Sequence, residues 1–259
     1  MTLGRIVGRQ AARLDEGLEI VRGAVESARL EYGLHHPFTA RIEASAVDQL
    51  VAVEQFAEAE HYCRSVLASV EIGQHVPIQE HARIACVLGH SLRAQRTFEE
   101  AEVALRGALM SAHGFSTEQW RRHWWKNISR LWTELGLNSI ALGRESEADQ
   151  HFAHARDESL DTMEPGAATF LLHSVLRRPN AAEFEPVARR LLESRLADPW
   201  TLPSETADAL LKLARILTTR GAFAEAEACY RDGLARLGAP SRLVGRTRVR
   251  PHHEPRDVA

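Results

Sequence analysis

Lysine is nearly absent from this 259-residue sequence, in which Lys126 and Lys212 are the only lysines among 32 cationic residues. Arginine supplies the other positive charges, and 35 acidic residues bring the formal net charge to -3. A chain without a positive excess has no overall field that attracts nucleic acid or an anionic membrane. We therefore expect neither as a partner.

Long apolar runs are also missing, since none approaches the roughly 18 residues that span a bilayer. The first 21 residues contain no continuous apolar segment of the kind that directs secretion. Three widely spaced cysteines, Cys63, Cys86 and Cys229, make neither a disulfide framework nor a paired metal motif. These features predict a cytoplasmic protein.

Motifs for catalysis and cofactor binding are absent as well. The sequence contains no G-x-S-x-G, no phosphate-binding GxxxxGK[ST] and no GxGxxG. With 44% hydrophobic and 26% charged residues, its composition is that of a folded domain. We predict a protein that is not an enzyme and needs no cofactor or metal.

An internal repeat is the main positive signal. Two clear copies begin at Phe56 and Phe98, 42 residues apart, and the next, at Glu145, follows after 47. A fourth copy begins at Phe223, and the interval of 78 residues before it is twice 39. A weaker copy begins halfway, at Phe184, and another 42 residues before the first copy, at Leu14. Self-similarity at such periods is typical of repeat architectures.

Each copy opens a helix, because its apolar residues recur at the i, i+3, i+4 spacing of one buried face. A second apolar segment precedes each clear copy, so every unit is predicted to be a helical hairpin. One hairpin cannot cover its own apolar stripe, and stacked hairpins form a continuous core. The preceding helices are predicted at 42–53, 82–94, 125–142 and 207–219.

The pattern Trp132-x2-Leu135-Gly136 … Ala148-x3-Phe152-x2-Ala155 resembles the tetratricopeptide repeat. The resemblance implies an all-α, right-handed α-α superhelix, in which small residues let paired helices approach closely. We expect about five hairpins and an N-terminal half repeat within residues 1–238, followed by a disordered basic tail, 239–259. Pro179 and Pro186 depart from the pattern around the fourth hairpin. The small residues are Gly89, Gly136, Ala101, Ala148 and Ala226.

The linker Tyr32-Gly33-Leu34-His35-His36-Pro37-Phe38-Thr39-Ala40 resembles the segment between repeats in the kinesin-light-chain subtype of this family. Repeats of that subtype run longer, near 42 residues, as they do here.

Histidine and cysteine offer candidates for chemistry, each with a structural alternative. His151 and His154 lie one helical turn apart and could share a metal, but no third or fourth ligand is evident. Cys63 and Cys229 fall on the predicted buried face of second helices, where a free cysteine acts as a small apolar residue. We favour the structural interpretation for all four.

Four tryptophans fall between residues 120 and 132, interleaved with basic residues. Trp132 matches a core position of the repeat, whereas Trp120 and Trp124 share one side of a helix. These two could cover the junction between hairpins, contact a peptide or stack on nucleic-acid bases. We favour the junction, with Trp120 and Trp124 kept as possible contact residues.

In the tetratricopeptide fold, first helices line the concave wall, and Arg41, Arg83 and Arg130 occupy one repeat position on it. Arginine suits bidentate recognition of carboxylates, so the row predicts a groove for a peptide. The alternative is that these arginines pair with neighbouring acids such as Glu43 or Glu134. Further predicted groove residues are His90, Arg93 and Arg215. Asp48, His90 and Leu137 occupy the sites where chaperone-binding relatives carry their carboxylate clamp, so chaperone tails are not expected.

The resemblance implies a scaffold or adaptor that holds a segment of another protein, with an acidic or C-terminal peptide as the candidate segment. A second hypothesis is a regulatory or sensor module derived from a larger signalling or transcription-regulatory protein. An N-terminal half repeat favours the second hypothesis.

Overall fold

The computed structural model describes residues 14–34, 36–71, 78–113 and 118–238. This part of the chain contains eleven α-helices, one short 3-10 helix at Ala181–Phe184 and no β-strand. The helices are α1 (Leu14–Tyr32), α2 (Pro37–Ala52), α3 (Phe56–Glu71), α4 (Ile78–Ala94), α5 (Phe98–His113), α6 (Glu118–Ala141), α7 (Glu145–Thr162), α8 (Pro165–Val175), α9 (Glu185–Ala197), α10 (Pro203–Arg220) and α11 (Phe223–Gly238).

The helices pack as a row of antiparallel hairpins. The hairpins are α2/α3, α4/α5, α6/α7, α8/α9 and α10/α11, and α1 packs on the first of them in the position of a second helix. First helices also pack on one another, α2 on α4, α4 on α6 and α6 on α8. The all-α superhelix of helical hairpins predicted from the repeats is confirmed.

Four of the hairpin turns share one backbone conformation. The residues Glu54, Arg96, Gly143 and Gly221 have φ of 60°, 64°, 73° and 84°. In each turn the following residue donates its N–H to a carbonyl five residues back, which satisfies a carbonyl that the ending helix leaves free. The first two turns thus keep this geometry although Glu54 and Arg96 stand where the later turns have glycine.

Small residues in the first helices receive large side chains from the second. A Cβ atom on Gly89 would lie 2.6 Å from the Leu105 side chain, and one on Gly136 would lie 2.8 Å from the ring of Phe152. Both distances are shorter than a non-bonded contact permits. The two glycines therefore set how closely the helices pair in the second and third hairpins.

The fourth hairpin is short but helical. Its first helix, α8, has 11 residues, and the 3-10 helix carries the chain into α9. Pro186 lies in the first turn of α9, where the missing N–H costs no hydrogen bond. The helix predicted from the 39-residue spacing is confirmed at this place.

The predicted starts of the first helices were too late. Proline begins α2 and α10, and the prediction missed both, although proline is favoured at the first helical position. The 47-residue interval contains α6, which has 24 residues and is the longest helix in the described part. The four helices concerned begin at Pro37, Ile78, Glu118 and Pro203.

Among the described residues, no helix is both long and apolar enough to cross a membrane. Residues 239–259, predicted to be a disordered tail, lie outside the described part of the chain.

Candidate peptide-binding groove

A cleft of about 240 Å³ opens on the wall that the first helices form. Val51, Ala52 and Val87 give it an apolar lining. Asp48 of α2 contributes an acid, and His90 of α4 and Arg130 of α6 contribute polar nitrogen groups. The cleft joins three successive hairpins, so a ligand lying in it would contact all three.

Arg83 spans two first helices. Its Nη1 donates to Asp48 Oδ2 at 2.9 Å, and its Nη2 donates to the carbonyl of Ala44 at 2.6 Å. Both acceptors belong to α2, whereas Arg83 belongs to α4. The predicted row of arginines therefore includes one whose charge already has a carboxylate partner.

Arg130 lies at the cleft without such a partner. Its guanidinium stands 5.3 Å from the centre of the Phe170 ring of α8, a cation–π arrangement. Its Nε is buried and has no hydrogen-bond partner. No carboxylate of the described residues forms an ion pair with Arg130.

Two other predicted groove arginines are exposed. Arg41 of α2 and Arg215 of α10 face solvent, and neither forms an ion pair within the described residues. The acids named as alternative partners of the row are engaged elsewhere. Glu43 pairs with Arg29 at 2.6 Å, and Glu134 pairs with Arg93 at 3.1 Å.

Arg93 and His90 form a polar cluster with Glu134. The Glu134 side chain is only 1% exposed, and Arg93 Nη2 lies 3.0 Å from His90 Nδ1. An arginine can only donate, so His90 Nδ1 accepts and the neutral ring carries its proton on Nε2. Burial lowers the pKa of His90, which favours this neutral form. Arg93 is thus tied to the array, while His90 remains at the cleft.

The tryptophan cluster divides into a described and an undescribed part. Trp132 is partly buried and stacks on His154 at 4.6 Å between ring centres, and it lies 5.4 Å from His151. Trp120 and Trp124 belong to the first turns of α6, but their side chains lie outside the described part of the chain.

His151 and His154 both pack against the ring of Trp132. His151 is buried, and its Nε2 lies 3.5 Å from Glu147 Oε1 without the geometry of a hydrogen bond. In the part of the chain that the structure covers, no group of three His, Cys, Asp or Glu side chains is arranged to hold a metal ion.

Cys63 and Cys86 lie in the core. Burial raises the pKa of the Cys63 thiol well above its ordinary range, and it raises that of Cys86 to about 12. Since the thiolate is the reactive form, both are inert at neutral pH. Cys229 is partly buried, and burial raises its pKa as well.

The buried histidine predicts how stability depends on pH. Burial lowers the pKa of His151, with a further contribution from Arg106 and a smaller opposing one from Glu147, so folding favours the neutral ring. This stability is complete above the unfolded pKa of about 6.5 and is lost as the pH falls towards the lower folded pKa. We expect the melting temperature to fall between about pH 7 and about pH 5.

His151→Phe should reduce this fall, because phenylalanine fills the site without titrating. The exposed His173 of α8 provides the control, and His173→Phe should keep the wild-type dependence. Equal pH dependence in the wild type and His151→Phe, measured by thermal melts, would contradict this role of His151.

A second arginine, on the second helices, also recurs at the repeat period and was not predicted. Arg22, Arg64 and Arg106 are each the ninth residue of a second helix, and each pairs with the third residue of the next second helix. Their spacing of 42 residues was visible in the sequence. The acids they meet are Glu58, Glu100 and Glu147.

Comparison with known proteins supports the repeat. The family model described as "Tetratricopeptide repeat" matches residues 206–237, which cover most of α10 and α11. The solved structure of BtubC (BKLC) from P. vanneervenii matches with a TM-score of 0.59 and 18% sequence identity. That match covers 95% of this chain and 96% of BtubC. No curated protein sequence matches significantly.

The identity to BtubC is too low to carry more than the fold. The family match covers the last described hairpin, and the four hairpins before it repeat the same architecture. The chain has the fold of a tetratricopeptide-repeat array, and its last described hairpin matches the sequence model of that repeat.

Proposed function

We propose that this protein is an adaptor whose first-helix groove binds a peptide segment of a partner, and that acidic side chains or a C-terminal carboxylate anchor the peptide. The observation that carries the proposal is Arg130, a cleft cation that has no carboxylate partner among the described residues. Helical repeats of this kind present an extended concave surface and generally serve as interaction scaffolds, not catalysts. The free cysteines fit a reducing compartment, and we place the adaptor in the cytoplasm.

The three arginines have different roles in this proposal. Arg130 and the exposed Arg41 contact the peptide's carboxylates. Arg83 holds Asp48 in place, and Asp48 in turn can accept hydrogen bonds from peptide N–H groups. An extended peptide rises about 3.3 Å per residue, so a few residues cover the distance from one hairpin to the next.

The binding test uses a fluorescein-labelled peptide rich in glutamate with a free C-terminal carboxylate. Each arginine contact at a partly exposed site is worth about 0.5–1 kcal/mol. Arg130→Ala should therefore weaken binding about two- to fivefold, and Arg41→Ala/Arg130→Ala should weaken it further. Fluorescence anisotropy measures the dissociation constant, and added salt should raise it.

Two further peptides separate the sources of charge. One replaces glutamate by glutamine, and the other carries a C-terminal amide. The peptide whose affinity falls more identifies the carboxylate that the groove binds. Arg64→Ala is the matched control, because it removes the same charge from the second-helix surface, where Arg64 is 52% exposed. If Arg64→Ala weakens binding as much as Arg130→Ala, attraction is non-specific and the groove proposal fails.

A further inference from the structure

The outward face of α11 carries an exposed apolar stripe. Phe223, Leu234 and Leu237 are 69%, 63% and 53% exposed, and Tyr230 between them is partly exposed. Glu227 completes the stripe with a side chain that is 61% exposed. These five residues are separated alternately by four and three positions. This is the heptad spacing of a helix that packs along another helix. Apolar patches of this kind mark interaction surfaces.

Corresponding positions are covered in the first two hairpins. Leu109 of α5 corresponds to Leu234 and is 5% exposed. Glu60 and Glu102 correspond to Glu227, and their side chains are 19% and 20% exposed. The following hairpin covers them and supplies a polar partner, because Gln95 donates to Glu60 at 2.7 Å and Arg144 to Glu102 at 2.9 Å.

Arg231 repeats a second docking feature. It is the ninth residue of α11, as Arg64 and Arg106 are of α3 and α5. Arg64 and Arg106 reach an acid on the next second helix. Arg231 is 76% exposed, and within the described residues its ion pair is to Glu227 of its own helix.

We infer that the α11 face binds the same face of a second copy of this chain, with the two α11 helices antiparallel. Inside the array, the fifth residue of this face receives a hydrogen-bond donor from the next hairpin, which is a cation in the case of Glu102. The ninth residue meets an acid of the next second helix. A second α11 offers both at once, since antiparallel pairing places Arg231 of each copy beside Glu227 of the other. Phe223 and Leu237 lie at opposite ends of the stripe and meet in the same arrangement.

Charge therefore makes the face complementary to itself. A two-fold interface uses one patch twice, so each contact between the copies occurs in duplicate. Burial of Phe223, Leu234 and Leu237 from both copies removes apolar surface from water, which stabilises the pair. The groove formed by α2, α4 and α6 stays free, so dimerisation does not depend on the proposed peptide binding.

The test is the mass of the full chain in solution, measured by size-exclusion chromatography with light scattering over a range of concentrations. The wild type should have twice the 28.9 kDa mass of one chain. Leu234→Glu and Arg231→Glu should each give the mass of a monomer. Glu227→Arg/Arg231→Glu should restore the dimer, because the exchanged charges pair again across the two-fold axis. Restoration also shows that Arg231→Glu does not fail simply by unfolding.

Leu30→Glu is the control, since Leu30 of α1 is 83% exposed and lies far from α11 along the array. It should leave the dimer intact. A wild type that stays monomeric at all concentrations overturns the inference, as does a dimer that Leu234→Glu leaves unchanged. A chain of residues 1–238 that dimerises while the full chain does not would show that residues 239–259 cover the face, which also overturns it.

Discussion

Replacing Ala148 by tryptophan is expected to unfold most of the array. Ala148 of α7 and its counterpart Ala101 of α5 have no exposed surface, and each lies where a second helix crosses its first helix. Phe152 occupies the neighbouring space and already packs against Gly136, so no room remains for an indole ring. Overpacking by even a few atoms costs about 1–3 kcal/mol, and tryptophan adds many more.

The effect should spread beyond one hairpin. Each hairpin of a repeat array is stabilised by its neighbours, so loss of a central one also exposes the faces on both sides. We expect Ala101→Trp and Ala148→Trp each to lower the melting temperature by more than about 10 °C, as a loss above about 3 kcal/mol implies for this size. Circular dichroism at the helical minimum measures the transition.

Ala57→Trp provides the matched control. Ala57 is exposed on α3, where an indole ring can extend into solvent. Its melting temperature should stay near that of the wild type. If Ala101→Trp and Ala148→Trp have the same melting temperature as the control, the close crossing of the paired helices does not determine the stability of the array.

The hairpin architecture could be predicted because the same residue pattern recurs in each repeat. A small residue at Ala101, Ala148 or Ala226 and an apolar residue four positions later recur at the repeat period. A single apolar segment could be a helix or a strand, and its recurrence at the repeat period favours the helix. The helix starts were harder, because polar first turns such as that of α10 carry no apolar period to mark them.

The groove was predictable only in part. Recurrence of Arg41, Arg83 and Arg130 predicts that they lie on one wall, but it says nothing about which acids lie within reach. Arg83 meets Asp48 from 35 residues away, and Arg93 meets Glu134 from 41. These pairings depend on how adjacent hairpins are rotated, which the sequence of one hairpin does not encode.

The buried pair Arg29–Glu43 is an interaction that the repeat pattern does not contain. It joins α1 to α2, the first helix of the first described hairpin. Arg29 Nε donates to Glu43 Oε1 at 2.8 Å, and the Glu43 side chain has no exposed surface. The Arg29 guanidinium also stands 5.1 Å from the centre of the Tyr62 ring of α3. One arginine thus holds three helices together.

Removing Arg29 alone should be strongly destabilising, since a buried carboxylate loses the charge that compensates it. Arg29→Ala should cost about 3–5 kcal/mol in the free energy of unfolding, a value typical of broken buried pairs. Urea denaturation followed by circular dichroism measures the loss. Arg64→Ala is again the control, because Arg64 and Glu100 are exposed and such pairs contribute about 1 kcal/mol or less.

Replacing both partners should recover most of that stability. In Arg29→Met/Glu43→Leu, no charge remains to be desolvated, and two apolar side chains of similar length fill the space among α1, α2 and α3. Buried ion pairs replaced in this way are often as stable as the original or more so. A double variant as unstable as Arg29→Ala would show that the cost lies in lost packing on Tyr62 or Glu43, and not in the unpaired charge. An Arg29→Ala variant as stable as the Arg64→Ala control would instead show that water reaches the Glu43 carboxylate once its partner is gone.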